Sequence, residues 1–395
     1  MPILSELLLI MLFSAVALFL CHKIGIPPLI GYLLTGILVG PSALGLITQV
    51  EMVDSLANIG VILLMFSVGL QFSLGELARM GRAVLIGMGL QMGLTILAIT
   101  ALGALLGFET RESVFYGFLI AASSTAIILK SLQESGQAES PHGRLAVSIS
   151  ISQDIGMILL VLLIPLFVGS DDFDLVGNVG GLLLKSALTL VAVIVTARYV
   201  APAVLYQIAR TRDRELFLFV IVILCFAIAW LVSAIGLSLA LGAFLAGLIV
   251  SESEYSNQAI GNIIPFKDLF ASIFFVSIGM MLDTAAFLRA WPAIFGLSLA
   301  IIAGKTVLAL LAVLLLRYPL RTALLSAIAL IPIGEFSFIL AVAGLNAGVI
   351  TQEGYQIFLA SSIFSMAATP VLIGWGPGIA DLLARFTPAA RATAT

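Results

Sequence analysis

Apolar residues run along this chain in blocks of roughly 18 to 25, separated by short polar or Pro/Gly-rich joints. Each block is long enough to cross a ~30 Å hydrocarbon layer as an α-helix. The blocks predict about thirteen spans, at residues 3–20, 26–40, 54–70, 83–106, 113–130, 143–168, 176–204, 215–233, 236–250, 267–282, 292–316, 321–344 and 355–384. Pro27-Pro28, Gly40-Pro41 and Arg317-Tyr318-Pro319 mark span ends. No window carries the dyad alternation of an outer-membrane barrel. The first apolar run has no Lys or Arg ahead of it, so it reads as a span and not as a cleavable leader. The expected fold class is an all-α polytopic membrane protein, one integrated domain over 1–385 followed by a short Ala/Thr-rich tail at 386–395.

Composition strengthens that reading. The 395 residues are 61% hydrophobic and 10% charged, too little charge to cover a water-soluble surface. Cys21 and Cys225 suggest no disulfide framework, and His22 and His142 fall in predicted loops without zinc spacing. No cofactor, resident metal or catalytic group is expected. The basic residues are sorted by side. Lys23, Arg79, Arg82, Lys130, Arg144, Arg198, Arg210, Arg212, Arg214, Lys267, Arg317, Arg321, Arg385 and Arg391 fall on one side. Arg111 and Arg289 fall on the other, with Lys185 near its edge and the acidic stretch Asp171-Asp172-Phe173-Asp174. The positive-inside rule then puts the N-terminus outside and the C-terminus in the cytoplasm. Spread over many loops, these charges give no support to nucleic-acid binding.

The chain echoes itself. Residues 31–39 (GYLLTGILV) align with 242–250 (GAFLAGLIV) at an offset of 211, and 66–70 (FSVGL) with 276–280 (VSIGM) at 210. One intervening span, 176–204, between halves at about 1–168 and 215–385 makes the second half run the opposite way, the inverted repeat of secondary transporters. The same offset lays Ser123-Ser124-Thr125-Ala126 on Ile333-Gly334-Glu335-Phe336. Consecutive hydroxyl side chains in one, and Pro332 with Gly334 in the other, predict two broken helices meeting at mid-membrane.

Three ionisable residues lie deep in predicted spans: Asp154, Lys305 and Glu335. Each charge there costs at least about 2.5–3.5 kcal/mol, so each needs a partner or a task. Asp154 lies ten residues past Arg144, roughly 15 Å along a helix. A partly desolvated carboxylate favours a proton, whereas a bound cation favours its ionised form. The two ligands then compete for one group, which is the requirement for antiport. Lys305 is expected to compensate the charge of Asp154; its two other readings are neutralising half-helix carbonyl ends and carrying a proton. Glu335 is expected to offset the positive end of a half-helix. Ser124, Thr125 and Gln153 are expected to join Asp154 at the ion and proton site.

These stretches are similar to the Kef-type branch of the monovalent cation:proton antiporter-2 family. The likeness rests on residues 30–41 (IGYLLTGILVGP), 123–127 (SSTAI), Gln153-Asp154, 243–247 (AFLAG), 251–255 (SESEY), 265–267 (PFK), 274–280 (FFVSIGM), 334–336 (GEF) and 365–370 (SMAATP). The resemblance implies a NhaA/NapA-like antiporter fold with two crossed broken helices, working as a homodimer by elevator-type alternating access in the bacterial inner membrane. It implies that Asp154 binds cation or proton and that Thr125 lines the crossing. The Gln-Asp pair is similar to the potassium-linked branch, so K+/H+ exchange is expected, with Na+/H+ exchange as the alternative. Many family members continue into a nucleotide-binding regulatory domain, and no Gly-x-Gly-x-x-Gly is present here. A regulatory subunit or a missing C-terminal domain is therefore a possible partner, beside membrane lipid. A gated potassium channel, a sodium-coupled organic-anion symporter and a signalling scaffold are the competing classes. The absence of a Thr-Val-Gly-Tyr-Gly filter argues against the first.

Overall fold

The computed structural model describes residues 2–47, 50–71, 82–163, 201–234 and 238–384. Span 176–204 therefore lies almost entirely outside the described residues, as do Arg79, the acidic stretch 171–174, Lys185, Arg198, Arg385, Arg391 and the tail 386–395. The described residues form fifteen helices. They are α1 (Pro2–Ile24), α2 (Pro28–Val39), α3 (Val50–Gln71), α4 (Arg82–Leu105), α5 (Thr110–Ala121), α6 (Thr125–Glu134), α7 (Pro141–Leu163) and α8 (Ala201–Ala209). There follow α9 (Arg214–Ala234), α10 (Leu239–Ser251), α11 (Ser256–Met280), α12 (Thr284–Leu315), α13 (Leu320–Ala329), α14 (Glu335–Asn346) and α15 (Gln352–Ala384). Seven of them are long and apolar enough to cross a membrane, and α2, α10, α13 and α14 are shorter apolar helices. The chain is a multi-pass, all-helical membrane protein.

Both breaks occur where the sequence predicts them. The span expected at 113–130 is two half-helices, α5 and α6, and that at 321–344 is α13 and α14. Ser124 caps α6, its side chain accepting from the Ile127 amide, so its hydroxyl serves a helix start and not a helix interior. Pro332 supplies no amide for a continuing helix, and extended Gly334 (φ −73°, ψ 153°) opens α14.

Two helices start well before their expected limits. α11 begins at Ser256 and passes through Pro265, and α12 begins at Thr284 and passes through Pro292. Each expected limit falls at or just after a proline, Pro265 or Pro292, that the helix in fact runs through. Asp283 caps α12 by accepting from the Ala286 amide, which stabilises a start that lies outside the apolar block.

The chain divides into two compact units. The first comprises Met1–Leu46, Gly81–Leu159 and Gly279–Thr395, the second Ile47–Met80 and Leu160–Ile278. In the first unit a core joins α6, α7, α12, α13 and α15 through Ile128, Leu132, Ile149, Ala309, Val313 and Ile328 among others. In the second, α3 and α10 are in close contact because Gly69 and Gly247 face each other, with a backbone carbonyl where either Cβ would stand. The first unit repeats this contact: Gly279 lies against the Leu33 carbonyl and Gly36. Gly69 meets Phe244 and Gly247 as Gly279 meets Leu33 and Gly36, and these are equivalent positions at the 210–211 offset. The inverted repeat is thus present in the packing.

Candidate functional site

The site is built where the two breaks cross. Ser123 and Ile333 form an antiparallel bridge, the one isolated bridge among the described residues. The Ser124 amide donates to the Pro332 carbonyl at 3.1 Å, and the Gly334 amide donates to the Ala122 carbonyl at 3.2 Å. A shift of 210 converts one bond into the other, so the crossing itself obeys the repeat. These bonds satisfy backbone groups that helix breakage would leave bare in an apolar medium.

Four half-helix ends converge there. The starts of α6 and α14 carry partial positive charge, and the ends of α5 and α13 carry partial negative charge. Glu335 opens α14, and its Oε2 accepts from the Ser124 hydroxyl at 2.8 Å. Lys305, on α12 and 2% exposed, donates through Nζ to the Ala122 and Pro332 carbonyls, the latter at 3.2 Å. Of its three sequence readings, the contacts made match the carbonyl ends. These two carbonyls are equivalent positions of the repeat, and each also accepts a bond across the bridge.

Helix α7 lies beside the first break and holds it at two points. The Asp154 Oδ2 accepts from the Thr125 hydroxyl at 2.9 Å. The Gln153 Oε1 accepts from the Ser123 amide at 2.9 Å. Glu335 and Asp154 are thus held by adjacent residues of the first break, Ser124 and Thr125. Exposure separates two sets of groups. Ser123, Ser124 and Gln153 are fully buried, whereas Asp154, Thr125 and Glu335 are partly exposed and the neighbouring Ala126 is exposed. The groups with access are two carboxylates and a hydroxyl, oxygen donors suited to a hard monovalent cation. The crossing therefore brings together Asp154, Gln153, Thr125, Ser124, Ser123, Lys305, Glu335, Pro332 and Gly334.

Sequence reasoning missed three polar groups. Gln91 on α4 accepts from Gln153 Nε2, and its own Nε2 donates to Thr95 Oγ1 at 3.3 Å. Ser365 on α15 accepts from the Ile333 amide at 3.1 Å, doing for the second break what Gln153 does for the first. None of the three is charged, and a scan for ionisable residues passes over them. An uncharged amide within the apolar run of α4 was the available signal.

A profile of the family described as sodium/hydrogen exchanger, transmembrane, matches residues 8–375. This chain belongs to that family. The putative cation/proton antiporter YbaL of Escherichia coli K12 is 34% identical over 363 residues, covering 89% of this chain and 64% of that protein. The glutathione-regulated potassium-efflux system protein KefC of E. coli O7:K1 is 34% identical, covering 89% of this chain and 57% of that one. The chloroplastic K(+) efflux antiporter 1 of Arabidopsis thaliana is 34% identical over 96% of this chain, which spans 32% of its length. This sodium/hydrogen exchanger family member is of the Kef type, and it spans about a third to two thirds of these relatives. Its fold matches the sodium proton antiporter MjNhaP1 from Methanocaldococcus jannaschii with a TM-score of 0.64, covering 97% of this chain and 99% of that one at 18% identity.

Proposed function

We propose that the protein exchanges a monovalent cation for protons, with K+ as the cation and Asp154 as the group for which cation and proton compete. The observation that carries this reading is a partly exposed Asp154, tied to Thr125 beside the start of a half-helix, in a span where a charge without a task is costly. Thr125 and Asp154 offer oxygens to a cation. Protonation of the same carboxyl removes the charge that holds it. Exchange follows when the protein reorients readily with either ligand bound and poorly with neither.

The charge count favours one-for-one exchange. Glu335 faces the positive start of α14, and Lys305 neutralises the carbonyl ends of α5 and α13. Of the two carboxylates described at the crossing, Asp154 is then the one whose charge the scaffold does not balance, so one cation or one proton completes the site. K+ is favoured over Na+ by the names of the K(+) efflux relatives and by the Gln153-Asp154 pair. Na+ is the second reading, because the structural neighbour is a sodium proton antiporter. The distribution of basic residues favours an outside N-terminus and a cytoplasmic C-terminus in a bacterial inner membrane. Elevator-type movement, a homodimer and a regulatory partner or domain belong to the same reading.

The test is cation-driven proton movement in proteoliposomes with an internal pH dye, comparing K+, Na+ and choline for wild type and Asp154→Asn. K+-dependent proton flux that vanishes in the variant supports the proposal. A folded wild type that moves no protons with any cation sinks it. Flux with Na+ alone transfers the reading to sodium, and single-channel currents would replace antiport by a channel.

A further inference from the structure

We propose that Gln91 is a positioning residue of the cation site: it locks the Gln153 amide onto the first helix break and thereby sets the affinity of the Asp154–Thr125 pair. The proposal rests on the antiporter reading for its effect on transport, but its structural half stands without it.

Gln91 is 1% exposed and lies in the interior of α4, where an unsatisfied amide is expensive. Its neighbours leave it one orientation. The Ser123 backbone amide can only donate, so the end of Gln153 facing it is the carbonyl oxygen. The Gln153 Nε2 then faces Gln91, which must present its own oxygen. The Gln91 Nε2 is turned toward Thr95 Oγ1, at 3.3 Å. Thr95 accepts there because its own proton goes to the Gln91 main-chain carbonyl, at 2.8 Å. The chain Thr95–Gln91–Gln153–Ser123 is thus polarised from end to end, and an amide flip anywhere along it sets two donors or two acceptors face to face.

This gives Gln153 a task other than supplying oxygen to the cation: its carbonyl oxygen holds the Ser123 amide. α7 then clamps the first break twice. The Gln153–Ser123 bond involves no ionisable group and persists through the cycle. The Asp154–Thr125 bond, two residues along the break, is the one that a cation or proton disturbs. With the first clamp intact, Thr125 stays in register while the second opens. With Gln91 gone, Gln153 Nε2 has lost its acceptor in an apolar setting, the amide can rotate, and Ser123 loses its partner.

The test uses the full chain with two readouts on Gln91→Met, which keeps the shape and removes the polarity, and Gln91→Glu. Backbone hydrogen exchange of the segment around Ser123 reads the clamp directly. The K+ dependence of proton flux reads the site. The Met variant is expected to exchange about tenfold faster around Ser123 and to need about tenfold more K+ for half-maximal flux. Its maximal rate should stay within about threefold of wild type, with a displaced pH profile. The Glu variant keeps an acceptor for Gln153 Nε2 in either protonation state, so exchange around Ser123 should stay near wild type at low and high pH, and K+ dependence should match wild type when its carboxyl is protonated. Unchanged exchange in the Met variant would make Gln91 a space-filling residue and overturn the proposal. Faster exchange with unchanged K+ dependence would also overturn it, by uncoupling the clamp from the site. A wild type that moves no protons defeats the antiporter reading instead, and the exchange comparison still decides the clamp.

Discussion

The break at 122–124 and the break at 332–334 share one backbone design and differ in almost every side chain around it. Each donates an amide to the other's carbonyl, each lends a carbonyl to Lys305, and each has a further amide captured by a polar side chain from a neighbouring helix. The captor is Gln153 at the first break and Ser365 at the second. Beside Gln153 stands a carboxylate with access; beside Ser365 stand Phe364 and Met366. Position 95, equivalent to Lys305 at the 210 offset, is a threonine. The backbone arrangement is a structural requirement of any crossed break in an apolar medium, so both halves must meet it. The charges are not required by the crossing, and their asymmetry is where the chemistry resides.

That contrast can be broken in several ways. The largest effect is expected from Asp154→Asn, which should bring cation-driven proton flux down to that of protein-free liposomes, while Ser365→Ala leaves flux near wild type. Equal losses from both would refute the asymmetry. Next comes Lys305→Ala, which strips a donor from two buried carbonyls. It should lower stability by about 2 kcal/mol, the loss being partly offset by no longer burying an ammonium. Melting in detergent reads this, and Thr95→Ala at the equivalent position should cost less than half as much. An unchanged melt for Lys305→Ala would mean that the two carbonyls do not depend on it.

Glu335→Gln sharpens the picture further. Its side chain still accepts from Ser124, so melting should fall only by the worth of its charge at the start of α14, about 0.5 kcal/mol. Losing one negative charge near Asp154 should raise the K+ concentration for half-maximal flux by about tenfold. A complete loss of flux would instead make Glu335 a transporting group. The smallest effect is expected for Ser365→Ala in the melt, about 1 kcal/mol for one neutral hydrogen bond, with K+ dependence unaltered.

Much of this was legible in one dimension. The offset of 210 to 211 read from the sequence echoes relates the two bonds of the crossing, Ser124 amide to Pro332 carbonyl and Gly334 amide to Ala122 carbonyl. The weak helix interiors at Ser123-Ser124 and Pro332 are the breaks themselves. Both signals are local: hydroxyl and proline chemistry acts within a turn, and repeats are visible as text. The starts of α11 and α12 were not legible, because a proline lies at or just before each expected limit and nothing local shows that the helix runs through it. Gln91 was passed over for lack of charge, although an amide needs partners in hydrocarbon as surely as a carboxylate does.

The sequence by itself determined the class of molecule, the place of most described spans, the repeat and the carboxylate beside its crossing. Length, hydropathy and the cost of a buried charge are properties of a residue and its near neighbours. The tertiary structure alone decided who pairs with whom. Lys305 had three readings until the rotation and depth of α12 placed its ammonium against two carbonyls that exist as free acceptors only because both helices stop there. The same holds for the Gln91–Gln153 chain, whose direction is dictated by one backbone amide thirty residues away. Hydrogen bonding acts over about 3 Å, and only packing brings residues distant in sequence within that range.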